Sequence, residues 1–105
     1  MRKIDLTSYD VEVQDGSGKR TLPYDVKEAL QMVLYSPDLR LGSRQLFEND
    51  RVAQKINSAQ GSVMLEEAEY EKLKLALDTI TGYTKNDLEM LHRVMDAQEV
   101  DVKEV

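Results

Sequence analysis

Asp25-Val26-Lys27-Glu28-Ala29-Leu30-Gln31-Met32-Val33-Leu34 is the stretch whose reading decides the fold. Val26, Ala29, Leu30, Val33 and Leu34 recur at i, i+3, i+4, i+7 and i+8, which places them on one stripe of an amphipathic helix. Asp25 can cap that helix, and Glu28 three residues on fits a capping-box partner. Ser36-Pro37-Asp38 stops it, because a proline disfavours helical geometry in the residue before it. Ser36 and Pro37 also suit the cap and first position of a following turn.

Upstream, the pattern changes to period two. Tyr9, Val11 and Val13 alternate with Asp10 and Glu12, as in a strand with one buried face. Ile4 and Leu6 alternate out of phase with Tyr9, and the slip at Thr7-Ser8 predicts a bulge or a late strand start. Gln14-Asp15-Gly16-Ser17-Gly18 is a turn signal. Arg20, Thr21, Leu22 and Tyr24 read as a return strand, which Pro23 confines to an edge. A hairpin is therefore expected over residues 5–24.

Downstream, three more helices are expected. The first, over residues 43–57, buries Leu46, Phe47, Ala53 and Ile56. The loop 57–62 and the brief apolar run Val63-Met64-Leu65 precede the next, over residues 66–81, with a stripe of Tyr70, Leu73, Leu77 and Ile80. Glu66, Glu67, Glu69 and Glu71 crowd its start, where the helix dipole favours negative charge. Gly82 ends it. Thr84, with Asp87 at the third position, caps a last helix whose apolar edge is Leu88, Leu91, Val94 and Met95. The fold class is thus α+β, mostly helical: an N-terminal β-hairpin followed by about four helices. Residues 1–98 form one small domain, and 99–105 are a C-terminal tail or an added strand. Leu30, Val33, Leu34, Phe47, Leu73, Leu77 and Leu91 are the expected core.

The totals bound the function. With 105 residues, 41% of them hydrophobic and 32% charged, the chain suits one domain with much surface, or one that completes its core against a partner. It has no cysteine, which excludes disulfides and thiolate metal sites and favours a reducing compartment. The polar start speaks against a signal peptide, and no apolar run approaches the roughly 18 residues of a membrane span. The net charge of −6 falls entirely in residues 61–105. Counterion release rewards basic surfaces on nucleic acid, so direct nucleic-acid binding is not expected.

Catalytic signatures are missing. Glu89-Met90-Leu91-His92 has the spacing by which helical side chains share a metal in di-iron bundles, but there is no second histidine. Ion pairs of Glu89 with Arg93 and His92 with Asp96 on an exposed face are the simpler expectation. Gly16-Ser17-Gly18-Lys19 lacks the spacing and hydroxyl residue of a phosphate loop. No nucleophile elbow is present. No enzyme activity, cofactor, metal or small-molecule substrate is expected. Arg44, Arg51 and Lys55, at i, i+7 and i+11, share one side of a helix that Glu48 dilutes. That side could meet Glu66, Glu67, Glu69 and Glu71 of a neighbouring copy. Val100 and Val102 offer another route, by strand addition.

The layout resembles that of small proteins encoded in tailed-phage and prophage genomes. The similarity rests on Tyr24-Asp25-Val26-Lys27-Glu28, Ser36-Pro37-Asp38-Leu39-Arg40-Leu41, Leu65-Glu66-Glu67-Ala68-Glu69-Tyr70 and the segment 86–99. Such proteins are commonly virion components, assembly helpers or modulators of host proteins. The resemblance implies a protein-binding role, in the host cytoplasm or the virion, and carries over no functional residues. The leading expectation is a non-enzymatic interaction module, a virion or assembly accessory whose partner is another protein or its own copies. The rival is an acidic inhibitor or regulator of a host nucleic-acid-binding protein, acting through residues 66–71 and 87–104.

Overall fold

A computed structural model describes residues 1–100. Asp25 caps the first helix as expected, its side chain accepting the Glu28 N–H at 3.1 Å. The elements follow as β1 (Arg2–Asp5), β2 (Tyr9–Asp15), β3 (Gly18–Tyr24), α1 (Val26–Leu34) and a 3-10 turn (Pro37–Leu39). Then come α2 (Ser43–Ser58), β4 (Ser62–Leu65), α3 (Glu67–Thr79), a second 3-10 turn (Lys85–Asp87) and α4 (Leu88–Met95). The fold is α+β, with a hairpin near its start, four helices and two small antiparallel sheets. No helix among the described residues is long and apolar enough to cross a membrane.

The hairpin is β2–β3 alone, with Tyr9 opposite Tyr24 and Asp15 opposite Gly18. Gly18 takes φ 109°, a conformation that glycine adopts without strain. The phase slip at Thr7-Ser8 is a late strand start rather than a bulge, because the hairpin strand begins at Tyr9. It separates two strands of different sheets. The Asp5 carboxylate accepts the Thr7 N–H at 2.9 Å and the Thr7 hydroxyl at 2.7 Å, a local turn that ends β1. β1 pairs instead with β4, Ile4 facing Val63. The apolar run 63–65 is therefore a strand, with Val63 and Leu65 buried beside Ile4 and Leu6. Arg2 bridges to Glu99, and the Val100 N–H donates to the Met1 carbonyl at 2.6 Å. Both ends of the described chain thus meet at one small sheet.

The main core lies between that sheet and the helices, with Leu30, Leu34, Ile56, Leu73, Leu77 and Met90 fully enclosed. Two expected core residues are corrected. Phe47 is 70% exposed, and Leu46 is exposed beside it. The buried face of α2 is Asn49, Val52, Ala53 and Ile56. Asn49 Nδ2 donates to the Leu34 carbonyl at 3.0 Å, so it satisfies an orphan acceptor at the end of α1. At about 100° per residue, Phe47 lies about 200° from Asn49 and faces out. Leu91 is half-buried at the rim, while Met90 and Val94 take the inner positions of α4. The second 3-10 turn sets this phase, and the Tyr9 hydroxyl accepts the Met90 N–H at 3.2 Å.

Leu34→Ala is expected to cost about 2–5 kcal/mol in chemical denaturation, as for other enclosed leucines. Phe47→Ala should change stability by about 0.5 kcal/mol or less, as for an exposed position. Equal losses for the two would show that α2 is rotated with Phe47 inward.

Candidate functional site

The described residues leave a run of large apolar side chains on one outer surface. Tyr35, the cap of α1, stands beside Leu46 and Phe47 of α2, and Met32, 67% exposed, lies one turn before Tyr35. Tyr35, Ser43, Leu46, Phe47 and Asp50 line a shallow cavity of about 260 Å³. The Tyr35 hydroxyl donates to Asp50 Oδ1 at 2.6 Å, which holds the ring across the α1–α2 seam. That hydrogen bond to a carboxylate raises the Tyr35 pKa. Met32 also borders the hollow under the hairpin, with Val11, Val13 and Leu22. The apolar surface therefore continues from hairpin to α2. Its walls are mainly aliphatic and aromatic, with Ser43 and Asp50 as the polar groups of the cavity. Such a surface can exclude water against another apolar face.

The charged residues expected at a contact divide into two sets. Lys55 Nζ and Glu69 Oε1 pair within the chain at 2.9 Å. Glu69 Oε1 also accepts the Glu66 N–H at 2.8 Å, and these two residues form the capping box of α3. Glu67 pairs with Arg2 at 3.1 Å, and the Arg2 guanidinium lies 5.0 Å from the Tyr70 ring centroid. The hydrogen bond from Arg2 holds the Glu67 carboxyl below its ordinary range. Lys72 pairs with Glu48 across α2 and α3 and lowers the Glu48 pKa by its hydrogen bond and charge, with Arg44 and Arg51 adding to the effect. Arg44, Arg51 and Glu71 are exposed, and no ion pair within 4.0 Å joins them to another described residue. Arg44 and Arg51 flank Phe47 along the outer face of α2. Val100 is occupied within the chain, hydrogen-bonded to Met1. Val102 lies outside the described residues.

On α4 both expected pairs form, Glu89 with Arg93 at 3.4 Å and His92 with Asp96 at 3.2 Å, but only the second is exposed, since Arg93 is 15% exposed and lies 5.1 Å from the Tyr9 ring centroid. The structure brings Arg44 and Arg51 to an apolar surface that the sequence pattern did not mark. Met32, Tyr35 and Leu75 all fall off the periodic stripes of their helices. An apolar residue off its helix's stripe was the one available signal.

A second cluster holds the hairpin to α4. The Tyr9 and Tyr24 rings stack with centroids 4.7 Å apart. Tyr9 donates to the Asn86 carbonyl at 2.7 Å, and Tyr24 to Asp87 Oδ1 at 2.6 Å. Burial and the Asp87 carboxylate push Tyr24 well above the ordinary tyrosine range. Burial alone would raise Asp87, but hydrogen bonds from the Thr84 N–H, Tyr24 and the Thr84 hydroxyl outweigh it, and its pKa is lowered. These are anchoring contacts for a two-stranded ribbon that would be marginal by itself.

Comparison of the chain with protein-family models, curated proteins and solved structures finds no match.

Because Asp87 is depressed in the folded chain, its contribution to stability is complete above its ordinary value of 3.8 and lost as pH falls through the lower folded value. Tyr24→Phe should cost about 1–2 kcal/mol near pH 7. That difference should shrink as Asp87 protonates below pH 3.8. Urea denaturation of both proteins across this range checks it. A pH-independent difference would show that the hydroxyl does not act on the Asp87 anion.

Proposed function

We propose that this chain is a non-enzymatic protein-interaction module that binds its partner through the α1–α2 surface centred on Phe47. The single observation that carries this is a phenylalanine, the only one in the chain, standing 70% exposed between two arginines without ion-pair partners among the described residues. Contiguous exposed apolar surface rimmed by polar groups characterises interaction sites. Aromatic residues and arginine are enriched where binding energy concentrates. The resemblance to small phage and prophage proteins directs the proposal to particle assembly, in the host cytoplasm or the virion. The rival, an acidic inhibitor of a nucleic-acid-binding protein, has less support, because Glu67 and Glu69 are already paired with Arg2 and Lys55.

Affinity capture from the cells in which the gene is native tests the proposal, with tagged wild-type chain beside Phe47→Glu. The wild type should retain a protein in near-stoichiometric amount, either a foreign chain or untagged copies. Phe47→Glu should lose it while keeping the wild-type circular dichroism spectrum. An identical set of proteins retained by both would contradict a Phe47-centred site. A gene position among head and tail genes would support the assembly role, and one among early genes the rival.

A further inference from the structure

The outer face of α3 carries a counterpart to the outer face of α2. Leu75 is 67% exposed, and Glu71 and Asp78 flank it, one turn to either side. Neither carboxylate has an ion-pair partner within 4.0 Å among the described residues, and the same holds for Arg44 and Arg51. Basic, apolar, basic on one helix therefore meets acidic, apolar, acidic on the other, with the charges seven residues apart in both. The two rows do not satisfy each other within one chain. Glu48 and Lys72 bridge α2 and α3 between them, and both rows point away from the core.

We propose that the occupant of the Phe47 face is a second copy of this chain, presenting the outer row of its α3. This rests on the protein-binding role assigned to that face above and names its partner. Run in the same direction with an offset of 27 residues, the helices bring Arg44 opposite Glu71 and Arg51 opposite Asp78. Phe47 then falls one residue, about 1.5 Å of rise, from Leu75. The lateral arrangement selects this direction. At about 100° per residue, Arg44 and Arg51 lie about 60° and 40° to one flank of Phe47, while Glu71 and Asp78 lie about 40° and 60° to the opposite flank of Leu75. Facing helices that run the same way bring those flanks together, and antiparallel helices separate them. The contact is heterologous. Each copy uses its α2 row on one neighbour and leaves its α3 row for the next, so assembly continues into a ring or a filament.

Sedimentation of the full chain at high micromolar concentration tests this, at low salt and at about 1 M salt, where the Debye length falls to about 3 Å. Species larger than a dimer are expected at low salt and monomer at high salt. Arg44→Glu/Arg51→Glu should be monomeric, and so should Glu71→Arg/Asp78→Arg, each with wild-type circular dichroism. Because each reversed row matches the other, an equimolar mixture of the two variants should reassemble. A second mixture, Phe47→Ser with Leu75→Ser, should stop at one-to-one dimers, since each variant keeps only one working row. A wild-type monomer at low salt, or an oligomer that persists in Glu71→Arg/Asp78→Arg, overturns the proposal. If that happens while Phe47→Glu still loses a captured foreign protein, the partner is not a second copy but the Phe47 face remains a binding site. If capture is also unaffected, both conclusions fall together.

Discussion

One buried amide sets the orientation on which the outer surface depends. Asn49 is the one buried side chain among the described residues that is neither apolar nor aromatic, and it donates to the Leu34 carbonyl at the end of α1. The end of a helix leaves carbonyls without partners, and an unpaired buried one costs about 1–3 kcal/mol. Turning α2 to bury Phe47 would carry Asn49 toward solvent and leave that carbonyl unpaired. It would also expose Val52 and Ile56, which are enclosed on the same face. The rotation of α2 is therefore fixed by a polar and an apolar requirement together. Phe47, Arg44 and Arg51 face outward as a consequence.

The rest of the molecule holds that arrangement still. Lys55–Glu69 and Lys72–Glu48 tie α2 to α3, and the hydrogen bond from Tyr35 to Asp50 ties α1 to α2. Exposed ion pairs add little to stability on their own. Their larger effect here is on which charges remain outward. Once these pairs form, Arg44, Arg51, Glu71 and Asp78 stand without ion-pair partners among the described residues, beside exposed Phe47 and Leu75. Far from this surface, the β1–β4 sheet gathers both ends of the described chain. Its backbone bonds take up Val100, whose N–H donates to the Met1 carbonyl.

The sequence disclosed those elements whose signals are local. The Asp25 cap, the Ser36-Pro37 turn and the apolar stripe of α1 are each written within a few residues, and each appears where expected. The pairing of β1 with β4 was hidden because its partners are about 60 residues apart and both strands are four residues long. The break at Thr7-Ser8 was visible as a change of phase, but phase alone does not say that the strands enter different sheets. The buried face of α2 is not legible from apolar residues alone. Leu46 and Phe47 are apolar and so suggest an inward face, while the deciding residue is a polar Asn49 whose partner lies on another helix. The charged rows were half legible. Periodicity marks Arg44, Arg51 and Lys55 as neighbours, but only the fold shows that Lys55 is taken by Glu69, and that Glu71 and Asp78 stand exposed on either side of an exposed Leu75.

Because the chain has a single phenylalanine, its ring can be followed alone. Replacing it with 4-fluorophenylalanine gives one fluorine resonance, whose broadening by a soluble paramagnetic agent reports access of solvent to that ring. In dilute solution at high salt the resonance should broaden strongly, and in concentrated solution at low salt it should shift and become protected. A resonance protected under both conditions would place the ring in the core and contradict the orientation of α2 on which the account depends.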